Sequence, residues 1–190
     1  MRNKEMCMYQ RILVPLDGSK QAESALLLAS KLGRIYNAEI ALLQVVEYPS
    51  EIYSRCPPNA LNDFPQTNEK LQAEKAAFCK NAEDYLQRLA STIEVAVSKV
   101  TIGIQECPVV DAILSTVDKS KIDLIVMSTM GQGKTPWMVG SVTNRILREA
   151  QIPVILIRKG SPGLADDRWI PQSASACKET RLHSGTLSYS

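Results

Sequence analysis

An alternation constrains this chain more than any other feature. Between residues 11 and 159, five short apolar runs are separated by four longer segments, three of them at helical spacing. "RILVPL" (11–16) is a leucine and β-branched run closed by Asp17, Gly18 and Ser19, and it reads as a buried strand. "EIALLQVVE" (39–47) is apolar on both faces with no Pro or Gly, as a central parallel strand should be. "VAVSKVTIGI" (95–104) alternates in part, which suits a strand nearer a sheet edge. "DLIVMST" (123–129) and "PVILIRK" (153–159) complete the set.

The segments between them read as helices. Ser19 stands where an N-cap belongs, and Ala22, Ala25, Leu26, Ala29 and Leu32 follow at helical spacing, so 20–35 is predicted helical. Over 69–91 the apolar face carries Leu71, Phe78, Ala82, Leu86 and Leu89. Pro108 opens a short helix bearing Val110, Ile113, Leu114 and Val117, since proline is tolerated in a first turn. Cys107 just before it reads as core. A last helix runs from Ser141 through Ala150, with Ser141 as its cap. Residues 48–68, with Pro49, Pro57, Pro58, Asn59, Asn62, Asp63 and Pro65, read as an irregular loop.

Strict strand–helix alternation predicts the α/β class: a doubly wound, five-stranded parallel sheet with helices on both faces. Ligands of such sheets bind beyond the carboxyl ends of the strands, at the switch point. Those ends carry residues 15–17, 45–47 and 127–131, and the loop that leads to Ser141. Residues 1–8 read as a leader, 9–159 as the domain, and 160–190, rich in Ser, Gly and Pro without periodicity, as a mostly disordered tail.

Composition excludes several function classes. The net charge of +2 is spread along the chain without a basic stripe, which argues against nucleic acid. No apolar stretch has the length of a membrane span, and the N-terminus lacks the apolar run of a signal peptide. The five cysteines are scattered and form no CxxC pair, as suits reduced thiols in the cytoplasm. The one histidine, His183, lies in the tail, so no protein metal site is expected.

The stretch from 128, "STMGQGKTPWMVGSVTNRIL", invites a Walker reading through Gly133, Lys134 and Thr135. The first glycine of that motif falls on Ser128, where a Cβ makes a positive φ costly. Pro136 compromises the helix such a loop needs, and no later strand offers a magnesium-binding carboxylate.

A different family accounts for more of the chain. "YQRILVPLDGSKQAESALLLASKL", "IALLQVVE", "DLIVMSTMG" and "VGSVTNRILREAQIPVILIRK" resemble the successive elements of the universal stress protein (UspA-like) family, over roughly residues 9–159. The resemblance is to its nucleotide-binding branch, which carries Gly, two residues, Gly, nine residues, then Gly-Ser/Thr. Here Ser128 replaces the first glycine, Gly131 is the second, and only eight residues separate it from Gly140 and Ser141.

The resemblance implies an adenine nucleotide, ATP, as ligand, with any magnesium brought by the nucleotide. It implies that Asp17 and Val45 contact the base, with Pro15 and Leu16 beside them. Met127, Ser128, Gly131, Gly140, Ser141 and Val142 fall to the ribose and phosphates. The chemistry of these residues agrees with that division. Asp17 can accept from a base amine or a sugar hydroxyl, and Val14, Val45 and Met127 can form apolar walls. The amides of a helix beginning near Ser141 attract phosphate, and Lys134 adds a positive charge. The plainer readings stand beside it: Asp17 closes the turn at Gly18 or caps the first helix, and Gly140 with Ser141 is only a turn and a cap.

The leading expectation is therefore a cytoplasmic, ATP-binding universal stress protein acting through conformation. The family implies a homodimer paired through strand 153–159, whose apolar edge is otherwise open. No residue set reads as catalytic, and slow ATP hydrolysis is the most the pattern allows. The alternative is a dimeric regulatory protein that binds a protein partner and no nucleotide, favoured by Ser128 and the shortened loop. A third reading, an adenine nucleotide α-hydrolase, needs an SGGxDS-type loop after the first strand, where this chain has Pro15-Leu16-Asp17-Gly18-Ser19.

Overall fold

The computed structural model describes residues 8–47, 65–93, 97, 99–129 and 139–158. In chain order its elements are β1 (Arg11–Leu16), α1 (Lys20–Tyr36), β2 (Glu39–Val45), α2 (Pro65–Ile93), β3 (Val100–Gln105), α3 (Val109–Ser120), β4 (Leu124–Ser128), α4 (Ser141–Glu149) and β5 (Val154–Ile157).

All neighbouring strands pair in parallel, in the order β3-β2-β1-β4-β5. The chain thus steps outward from β1 through β2 to the edge strand β3, then crosses back to β4 and ends at the other edge, β5. Right-handed crossovers in the two directions put helices on opposite faces. Leu13 and Leu43 pack with Val110, Ile113 and Val117 of α3 and Ile146 of α4. On the other face Ala25, Ala29 and Leu32 of α1 and Leu86 of α2 are buried. β1 is the pivot, so the switch-point crevice opens between the carboxyl ends of β1 and β4. The expected doubly wound α/β sheet is the fold.

Local chemistry sets the element ends. Ser19 caps α1, its hydroxyl accepting from the Ala22 amide at 3.1 Å. Asn37, in the left-handed region at φ 53, ends the same helix. At the opposite end of the sheet from the crevice, Asp123 clamps β1 to β4. Its carboxylate accepts from the amides of Gln10 (2.7 Å) and Arg11 (3.1 Å), while its own amide donates to the Arg11 carbonyl at 3.1 Å.

Some expectations need correction. α2 begins at Pro65, so the last four residues of the supposed loop are helical, because proline suits a first helical turn. Residues 48–64 lie outside the described residues, as do the tail and most of the leader. Phe78 is 39% exposed rather than core. Cys107 is exposed too, since it sits in the bend between an edge strand and α3. Val14 is fully buried inside the sheet and forms no wall of the crevice. Ser141 is the first helical residue of α4, and the cap position belongs to Gly140.

Candidate functional site

Beyond the carboxyl ends of β1, β2 and β4 lies a cavity of about 940 Å³. β1 contributes Pro15 and Leu16, followed by Asp17 and Gly18; β2 contributes Leu43 to Val45; β4 contributes Met127 and Ser128; α4 contributes Ser141 to Thr143, preceded by Val139 and Gly140. Nine residues singled out from the sequence therefore share one cavity: Pro15, Leu16, Asp17, Val45, Met127, Ser128, Gly140, Ser141 and Val142. Gly131 and Lys134 lie outside the described residues.

The β1 corner is a tight turn. Gly18 has φ +81, a conformation L side chains rarely adopt, so this position requires glycine. Asp17 closes the turn through Oδ1, which accepts from the Ser19 amide at 2.9 Å. The plain turn-forming role of Asp17 is thus present, and the same residue lines the cavity.

The β4 corner differs from the expected glycine chemistry. Ser128 is a strand residue, 8% exposed, and only Asn37 and Lys121 among the described non-glycine residues have positive φ. Its Cβ therefore costs nothing in backbone strain. Gly140 has φ −60 and ψ 154, which any residue adopts, and a Cβ there would stand 3.8 Å from the Thr129 carbonyl oxygen and 3.9 Å from Thr143 Oγ1. Nothing among the described residues demands glycine at 140.

Two bonds tie the ends of the intervening segment together. The Gly140 amide donates to the Thr129 carbonyl at 3.1 Å, and Thr143 Oγ1 donates to the Ser128 carbonyl at 3.3 Å. They hold the start of α4 against the end of β4. The first helical bond of α4 runs from the Asn144 amide to the Gly140 carbonyl at 2.9 Å. Amides in the first turn have no intrahelical acceptor, and among the described residues no side chain caps them. Their positive end opens beside the cavity.

One wall was not legible as part of the site. Phe78, Asn81, Ala82 and Tyr85 of α2 line the cavity at a spacing that puts them on one helical face. That spacing was visible, but only the tertiary packing of α2 says which face meets the crevice. Tyr85 donates from its hydroxyl to Glu23 Oε1 at 3.2 Å. Burial, the Glu23 charge and hydrogen bond, and the Asp17 charge together push the Tyr85 phenol well above its ordinary value, against a smaller opposing effect of Arg88. Gln44, Val109 and Ile113 were also missed. Among the described lining residues there is no lysine or arginine, whereas Asp17 and Glu47 are acidic. Among the described residues no group of three or more His, Cys, Asp or Glu could hold a metal ion. No described helix is long and apolar enough to cross a membrane.

The family model for the universal stress protein family matches residues 8–158. The chain belongs to the universal stress protein family. A universal stress protein of Synechocystis is 31% identical over 158 residues, covering 79% of this chain and 86% of that one. One of Methanocaldococcus jannaschii is 27% identical over 160 residues, covering 84% and 87%. The solved universal stress protein UspA of Lactobacillus plantarum matches with a TM-score of 0.62 at 26% identity, over 79% of this chain and 98% of that one. Two further universal stress protein structures share the fold. One is a complex with cAMP (TM-score 0.51, 20% identity, 79% and 97% coverage), and one, from Archaeoglobus fulgidus, is a complex with dAMP (TM-score 0.54, 17% identity, 79% and 98% coverage). At those identities the likeness is one of fold.

Proposed function

We propose that this universal stress protein binds an adenine nucleotide, ATP, in the cavity above β1, β2 and β4, and signals through the conformation that the nucleotide stabilises. One observation carries the reading: Asp17 and Val45 line the same cavity as the uncapped amino end of α4. A base and a phosphate chain need those two chemistries at once, an acceptor beside an apolar wall and a cluster of free amides. The family structures that hold cAMP and dAMP support the choice of adenine.

In this reading Pro15, Leu16, Asp17 and Val45 hold the base, Met127 and Ser128 pass beneath the ribose, and Gly140, Ser141 and Val142 meet the phosphates. Gly131 and Lys134, which the family pattern and charge assign to the phosphates, lie outside the described residues. Magnesium comes with the nucleotide. The protein works in the cytoplasm as a homodimer paired through β5, an edge strand whose Val154, Ile155 and Leu156 are only partly buried. Among the described lining residues no histidine base is present, so turnover is at most slow.

Mass spectrometry of the purified protein for bound adenine nucleotide, with calorimetric titration of ATP and magnesium, tests the ligand. Bound nucleotide or saturable heat is expected. Neither would favour the other reading, a regulatory dimer that binds a protein partner. Sedimentation velocity tests the dimer.

A further inference from the structure

Between Glu39 at its start and Gln44 near its carboxyl end, β2 is apolar. Ile40, Leu42 and Leu43 are buried, and then Gln44 interrupts the run. Gln44 pairs in register with Leu16 of β1. Strand alternation puts its side chain on the same face as Ile40 and Leu42, away from Leu43, which packs toward α3. There it lines the cavity, and its Nε2 stands 3.9 Å from where a Cβ on Gly18 would be.

The amide oxygen of Gln44 is buried and has no hydrogen-bond partner among the described residues. A buried acceptor left unmet costs stability, and an apolar side chain of the same length would not incur it. A carboxamide in that position is therefore explained by something that enters the cavity and donates to it. Gln44 as a whole is only partly buried, so rotation about its side-chain bonds carries the oxygen to the cavity surface without moving the strand.

We infer that Gln44 is a specificity-determining residue whose Oε1 accepts a hydrogen bond from the exocyclic amino group of the bound base. The inference rests on the adenine-nucleotide reading above and extends it from the ligand class to the atom being read. Gln44 adjoins Val45 and stands beside the Asp17–Gly18 turn, the corner assigned to the base. Adenine offers there an amine donor that a purine without the amino group lacks. A site with a polar group waiting for that donor rejects the analogue because its own group stays unpaired.

The test titrates wild-type protein and the Gln44→Met variant with ATP and with purine riboside triphosphate, which lacks only the amino group. Wild type is expected to prefer ATP by about tenfold. Gln44→Met is expected to lose that preference, with ATP and the analogue binding within about twofold of each other. The same variant, free of ligand, is expected to melt at a higher temperature than wild type, because its buried unpaired oxygen is gone. ATP binding with an undiminished preference in Gln44→Met overturns this inference alone. So does a lower melting temperature of the variant, which would reveal a partner for the amide inside the chain. If the wild-type chain binds neither nucleotide, the adenine-nucleotide reading falls, and this inference with it.

Discussion

Asp17 Oδ1 accepts from the Ser19 amide at 2.9 Å, across a glycine whose φ of +81 permits the turn. One carboxylate thus shapes the corner where β1 gives way to α1 and faces the cavity as well. The two roles separate by substitution. Asp17→Ala removes both, and is expected to lower stability by about 1 kcal/mol and ATP affinity by about tenfold. Asp17→Asn keeps an acceptor for Ser19 and should retain the stability. Urea unfolding and calorimetry read the two effects. Lost stability with unchanged affinity would assign Asp17 to the turn alone.

Gly140→Ser tests the amino end of α4. The backbone there is unstrained, and among the described residues no neighbour lies closer than 3.8 Å to a new Cβ. Serine also supplies the side-chain cap that this helix lacks, so thermal stability should hold or rise by roughly 0.5 kcal/mol. The hydroxyl then competes for amides that the phosphates need, and ATP affinity should fall about tenfold. Equal affinity in the variant would remove α4 from the proposed phosphate site.

Asp123→Ala removes the clamp between β1 and β4. Two amide bonds to its carboxylate are lost, and an expected cost of about 2 kcal/mol should show as a lower urea midpoint. The clamp sits at the amino ends of the strands, opposite the cavity. ATP affinity should therefore be unchanged under conditions where the variant is folded.

Tyr85 predicts a pH dependence. Its phenol is shifted upward chiefly by burial and by Glu23, so the folded chain holds this proton to higher pH than the unfolded chain does. Below about pH 10 both states are protonated and the residue adds no slope. As pH rises further the unfolded chain releases its proton first, and the associated stability is lost. Between about pH 10 and 12, wild type should lose stability faster than Tyr85→Phe. Parallel denaturation curves across that window would show that Tyr85 titrates alike in both states.

Much of the fold was legible because each element carries its own signal. The apolar run from Ile40 to Leu43 cannot face water on either side, so a doubly covered strand follows from the residues alone. Ser19 and Gly18 marked the β1–α1 corner for the same local reason. The errors fall where local chemistry is neutral. Phe78 is apolar and at helical spacing, and nothing in its neighbours reveals that it reaches the cavity rim rather than the core. Ser141 looked like a cap because serine often is one, but it is the first helical residue and Gly140 holds the cap position.

What the sequence determined by itself is the set of elements, their order, and the family pattern that drew attention to Asp17, Val45, Gly140 and Ser141, because periodicity, turn chemistry and motif spacing are local properties. What only the tertiary structure decided is convergence. Strand order, with β1 between β2 and β4, brings residues as distant as Asp17, Gln44, Tyr85 and Ser141 to a single cavity. Burial then distinguishes the groups that found partners within the described chain from Gln44 Oε1, which did not. Those relations depend on how separate elements pack, and no window of sequence contains them.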